Sequence, residues 1–144
     1  MQQRDSSAYL SDILDAAAAI QDVAASIDEA GYTATRLIRS AVEREFTIIG
    51  EALRVIAQRD PELFAGIPEG SQIIDFWNLL THEYRKVSDR VVWGAIQTDL
   101  PELIEHCTQL LDRITPKPYR GANPVLLTLG MHLRGSALPY CRSA

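Results

Sequence analysis

Leu37-Ile38-Arg39-Ser40-Ala41-Val42-Glu43-Arg44-Glu45-Phe46-Thr47-Ile48-Ile49-Gly50-Glu51-Ala52-Leu53-Arg54-Val55-Ile56 is the stretch that decides the fold. Leu37, Ile38, Ala41, Val42, Ile48, Ile49, Ala52, Leu53 and Ile56 recur at intervals of three and four, the signature of one apolar stripe on an α-helix. The spacing predicts a helix over about 35–59. Asp60-Pro61 stops it, because the residue before a proline avoids helical geometry.

The same period extends outward on both sides. Tyr9, Leu10, Ile13, Leu14, Ala17, Ile20, Val23, Ala24 and Ile27 predict an earlier helix, capped by Ser6 or Ser7 and closed by Gly31. Beyond a loop with Gly66, Pro68 and Gly70, Ser71 is placed to cap a short third helix reaching about residue 84. Ser88 or Asp89 starts a fourth. It buries Val91, Val92, Ala95, Ile96, Leu100, Leu103, Ile104, Cys107, Leu110, Leu111 and Ile114. Pro101 lies inside that span and is expected to kink or split it near Asp99, since its ring removes a backbone donor and crowds the preceding turn. No segment alternates like a strand. The expectation is an all-α protein, a four- or five-helix up-and-down antiparallel bundle over residues 1–114. The apolar stripes are wider than one small bundle covers, which predicts a homodimer.

Residues 115–144 differ. They hold four of the seven prolines, Pro116, Pro118, Pro124 and Pro139, and the bases Lys117, Arg120, Arg134 and Arg142 without an acid. This composition predicts an irregular or disordered tail. The 144-residue chain carries −5 and its last 30 residues +4, so the bundle carries −9. An acidic body excludes a protein that coats nucleic acid through a broad basic face, but not a local RNA site. No apolar run is long enough to span a membrane, and Met1-Gln2-Gln3-Arg4-Asp5 does not open a secretory signal. Cys107 and Cys141 lack metal-ligand spacing and read as free thiols in a cytoplasmic protein. The three histidines and scattered acids offer no clustered metal-ligand set, and no cofactor motif is present.

Chemistry concentrates in Ile73-Ile74-Asp75-Phe76-Trp77-Asn78-Leu79-Leu80-Thr81-His82-Glu83-Tyr84. Asn78 and His82, four apart, share one helical face, and a histidine there can move protons near neutral pH. Tyr84 follows at the helix terminus. Ile73, Ile74, Trp77 and Leu80 have core spacing. His106 and His132 have no partners at useful spacing. An Asn–His pair alone is more often a local polar contact than a catalytic one.

Together with Tyr9-Leu10-Ser11-Asp12-Ile13-Leu14, Ala41 through Ala52, Val92-Trp93 and Leu100-Pro101-Glu102-Leu103, this run resembles the HepT-like proteins, a branch of the all-helical HEPN superfamily. The resemblance covers about residues 5–114. It implies the toxin half of a bacterial toxin–antitoxin pair, a symmetric dimer that cleaves RNA without metal in a shared cleft. It implies a minimal nucleotidyltransferase as antitoxin, able to attach AMP to a tyrosine. On that pattern His82 is the catalytic histidine, Asn78 the accompanying asparagine and Tyr84 the modifiable tyrosine.

The family's arginine position falls on Trp77. A scissile phosphate needs a cation, and tryptophan offers only one N–H donor. Either another cation compensates, with Arg44 the leading candidate, or the chain is a weak or inactive nuclease that keeps its complex with the nucleotidyltransferase. Arg85, Lys86 and Arg90 either guide RNA or form a solvated loop. Glu51 reads as an orienting or structural carboxylate.

Overall fold

A computed structural model describes residues 4–83 and 87–115. The described residues form seven helices: α1 (Ser6–Ser26), α2 (Glu29–Ala34), α3 (Arg36–Arg59), α4 (Pro61–Phe64), α5 (Gly70–His82), α6 (Asp89–Gln97) and α7 (Asp99–Ile114). The all-α bundle is built on the long helices α1, α3, α5 and α7. α1 lies against both α3 and α7, and α5 lies against α3. α1 and α3 run antiparallel: the Ser6 hydroxyl donates to Asp60 Oδ2 at 3.2 Å, and Arg59 donates to the Tyr9 hydroxyl at 3.3 Å.

Leu10, Ile13, Ala17 and Ile20 of α1 are buried, as are Val42, Phe46, Ile49, Leu53 and Ile56 of α3 and Leu100, Leu103, Cys107 and Leu110 of α7. These spacings of three and four put one stripe of each helix into a common core. Ala16 and Ala17, small and buried, leave room for the neighbours of α1.

Several boundaries differ from the sequence expectation. Gly31 does not close the first helix. The chain leaves α1 through Ile27 in extended backbone, and Asp28 then caps a separate short helix, its Oδ1 accepting from the Gly31 amide at 2.8 Å. Asp60 ends α3 as expected and also caps α4, accepting from Leu63 N at 3.1 Å with Pro61 in the first turn. Ser71 is not a cap: α5 begins one residue earlier and Glu69 precedes it without a side-chain cap. Ser88 does cap α6, its hydroxyl oxygen accepting from Val91 N at 3.3 Å. The fourth predicted segment is split at Thr98, and Pro101 sits in the first turn of α7, where a missing amide donor costs little.

Four residues assigned to the apolar stripes are on the surface: Leu37, Ala41, Val91 and Ile114. Leu37 is 81% exposed and Val91 53%. Leu37 and Val91 lie in the first turn of their helices and Ile114 ends α7, where the periodic stripe runs past the elements that would cover it. The expected tail, including Pro116–Pro139, Cys141 and His132, lies outside the described residues.

Candidate functional site

α5 has two unlike faces. Ile73, Trp77 and Leu80 are buried, and Asn78 and His82 are exposed. Asn78 and His82 stand one turn apart on the open face, with His82 the last residue of the helix. Asp75 and Leu79 are exposed beside them. The last turn is closed by the Glu83 amide, which donates to the Leu79 carbonyl at 2.8 Å, and by the Thr81 hydroxyl, which donates to the Trp77 carbonyl at 2.9 Å. An imidazole and a carboxamide displayed this way combine a proton-transfer group with a donor and acceptor for an anionic ligand.

Trp77, one residue before Asn78, points the other way. It is only 6% exposed and stacks on Phe46 of α3, with ring centroids 3.9 Å apart at 27°. Phe76 meets it at 4.8 Å and 55°. Its indole N–H is buried without a hydrogen-bond acceptor. Trp77 is thus a wall of the core and supplies no donor to a phosphate on the open face. Phe46, which sequence periodicity did not single out, is the partner that makes this seat.

Arg44 is exposed on α3 and lines a groove between α1 and α3 with Arg4, Tyr9, Asp12 and Glu51. Phe46 and Gly50, which meet α5, lie on a different side of α3. Within the chain the fold therefore brings Arg44 together with Arg4, on a different side of α3 from the one that meets the helix carrying His82. Glu51 is exposed and pairs with Arg54 at 2.7 Å. Arg90 is exposed in the first turn of α6. Tyr84, Arg85 and Lys86 lie outside the described residues. Among the described residues no three His, Cys, Asp or Glu side chains gather as a metal site would require.

A polar cluster that the sequence did not reveal joins α2, α3 and α6. Arg39 Nε lies 3.7 Å from Asp89 Oδ1, and the Arg39 guanidinium also donates to the Thr33 carbonyl. The Tyr32 hydroxyl is buried without a partner, and the Tyr32 ring meets Trp93 at 5.6 Å. Burial, reinforced by Glu43 and Asp89, holds that hydroxyl well above the ordinary tyrosine range. Burial and the Asp89 carboxylate also raise Glu43, with Arg39 opposing. Asp89 opens α6, immediately after the segment that follows His82, so this cluster anchors the far side of that connection.

The model of a family described as ribonuclease HepT-like matches residues 13–110. A protein of Methanocaldococcus jannaschii named Putative RNase MJ1380 is 32% identical over 103 residues, which cover 72% of this chain and 94% of that one. Another from the same organism, Putative RNase MJ1216, is 26% identical over 117 residues, covering 81% and 96%. Putative RNase TTE0752 of Caldanaerobacter subterraneus is 29% identical over 77 residues, covering 54% and 68%. No solved structure gives a significant match.

Proposed function

The chain belongs to the ribonuclease HepT-like family, and from that premise we propose that it is an endoribonuclease, the toxin of a toxin–antitoxin pair, acting through His82. The observation that carries this reading is the exposed Asn78–His82 pair on one face of α5, within a chain whose matched region covers the bundle. In the proposed reaction the neutral His82 imidazole accepts the proton of a ribose 2′-hydroxyl. The freed oxygen attacks the adjacent phosphorus, the bond to the 5′-oxygen breaks, and a protonated imidazole returns a proton to that oxygen. Asn78 hydrogen-bonds the phosphate. No metal takes part.

Two copies form a homodimer whose shared cleft receives the RNA. Leu79, 40% exposed beside Asn78 and His82, supports an α5 face that a second copy covers. Arg85, Lys86 and Arg90 guide the RNA backbone, and Arg44 supplies the phosphate cation, reaching it from the second copy. The cognate antitoxin is a minimal nucleotidyltransferase that blocks the cleft or adds AMP to Tyr84. The test is cleavage of RNA by the purified dimer: the unaltered protein cleaves, and His82→Ala does not while remaining folded by circular dichroism.

The burial of Trp77 favours a second reading. With the cation position of the family occupied by a core side chain, the chain is a nuclease-inactive partner that retains the nucleotidyltransferase complex. An unaltered protein that binds the nucleotidyltransferase but leaves RNA intact selects this reading.

A further inference from the structure

Behind α5, on the side away from Asn78 and His82, lies a cavity of about 110 Å³ between α3, α5 and the α6–α7 junction. Its walls are the rings of Phe46, Phe76 and Trp77 and the side chains of Leu100 and Leu103. Its rim carries Glu69, Gln72 and Asp99. A second depression continues from the same rim and adds Glu102 and His106.

We propose that this cavity binds a small organic ammonium ion, its apolar body among the aromatic rings and its charged head at Glu69 and Asp99. The volume is of the order that accepts a single six-membered ring; an engineered apolar cavity of about 150 Å³ takes up benzene. Aromatic π-systems attract cations. The rim carboxylates have no cation of their own, since among the described residues neither Glu69 nor Asp99 forms an ion pair. Among the described residues, the Asp99 side chain is engaged only by the neighbouring Thr98 hydroxyl, at 3.2 Å. Predominantly apolar walls with a few convergent polar groups at the mouth are the usual build of a small-molecule site. The same charges repel phosphate, so this side of α5 does not serve RNA. The proposal is independent of whether His82 cleaves RNA.

Three probes of one shape separate the contributions: phenethylammonium, 2-phenylethanol and 3-phenylpropionate, titrated calorimetrically into the full-length protein. Phenethylammonium is expected to bind saturably and about fivefold more tightly than the alcohol, with the carboxylate weakest, because two solvent-exposed carboxylates contribute roughly 1 kcal/mol together. The indole N–H resonance of Trp77, assigned with Trp93→Phe, shifts on binding. Glu69→Gln with Asp99→Asn, both at exposed positions, removes the preference for ammonium and leaves the alcohol bound. The proposal is overturned if phenethylammonium shows no saturable binding up to about 10 mM. It is equally overturned if the alcohol binds as tightly, if the Trp77 resonance does not move, or if the double variant keeps the preference.

Discussion

A Cβ placed on Gly50 of α3 would stand 2.7 Å from the Cβ of Trp77 of α5. Real Cβ atoms do not approach so closely, so the two helices meet at a distance that only glycine permits. The indole lies over that gap and stacks on Phe46, one turn earlier on the same helix.

Gly50→Ala is therefore expected to destabilise the bundle although alanine is the better helix former. Overpacking of a tight contact costs about 1–3 kcal/mol, which outweighs the roughly 1 kcal/mol gained in helix propensity. Thermal unfolding checks it: a lowered Tm is expected, and an unchanged or raised one means that α5 slides away freely.

Trp77→Arg introduces the cation that the proposed reaction calls for but places a guanidinium where a residue is only 6% exposed. The loss of the buried ring and the desolvation of the charge are expected to cost about 3 kcal/mol or more. Circular dichroism melting of the variant reads the loss. Gain of RNA cleavage by a variant that melts like the parent would show that the arginine escapes to the open face of α5.

Glu43→Gln tests the cluster around Tyr32 through pH. Glu43 is raised above the ordinary carboxylate range, so the folded protein holds the proton that the unfolded chain releases first. Its contribution is neutral below the unfolded value and becomes increasingly unfavourable as pH rises through the folded value. The substitution is expected to raise Tm at pH 7 and to lose that benefit near pH 4. A constant offset at both pH values would assign the effect to packing instead.

Cys107 is fully buried on α7, and burial pushes its thiol up to about 12. Iodoacetamide is expected to leave it unmodified in the native protein and to label it after denaturation, read by peptide mass spectrometry. Labelling under native conditions would reveal opening of the α1–α7 contact.

Residues 116–144 are expected to be dispensable for the bundle, since the apolar period ends at Ile114. A chain ending at Thr115 keeps a cooperative thermal transition. A broad, uncooperative melt would make the apolar run from Val125 to Leu133 part of the core.

Periodicity made the helices and most of their buried faces legible, because a 3.6-residue repeat reports directly which residues share a stripe. It failed at Leu37, Ala41, Val91 and Ile114, where the stripe continues but no neighbouring helix covers it. It failed at Gly31, where the stronger local signal was the capping carboxylate of Asp28, three residues earlier. Within the candidate site, the common face of Asn78 and His82 follows from their spacing, and the structure adds that this face is exposed. The side of α3 on which Arg44 stands does not, since it depends on which neighbour packs where. The Tyr32–Glu43–Asp89 cluster was invisible for the same reason: its members come from three helices that only the tertiary fold brings together.

The two tryptophans are built-in optical reporters of different regions. Trp77 sits in the α3–α5 seam, only 6% exposed, and Trp93, half-buried on α6, faces Tyr32. In a Trp93→Phe background the emission comes from the seam alone. If α5 lifts from α3 as a unit before the bundle melts, that emission moves to longer wavelength while the far-ultraviolet ellipticity is still intact. The order of the two signals then measures directly how independently the helix carrying His82 can move.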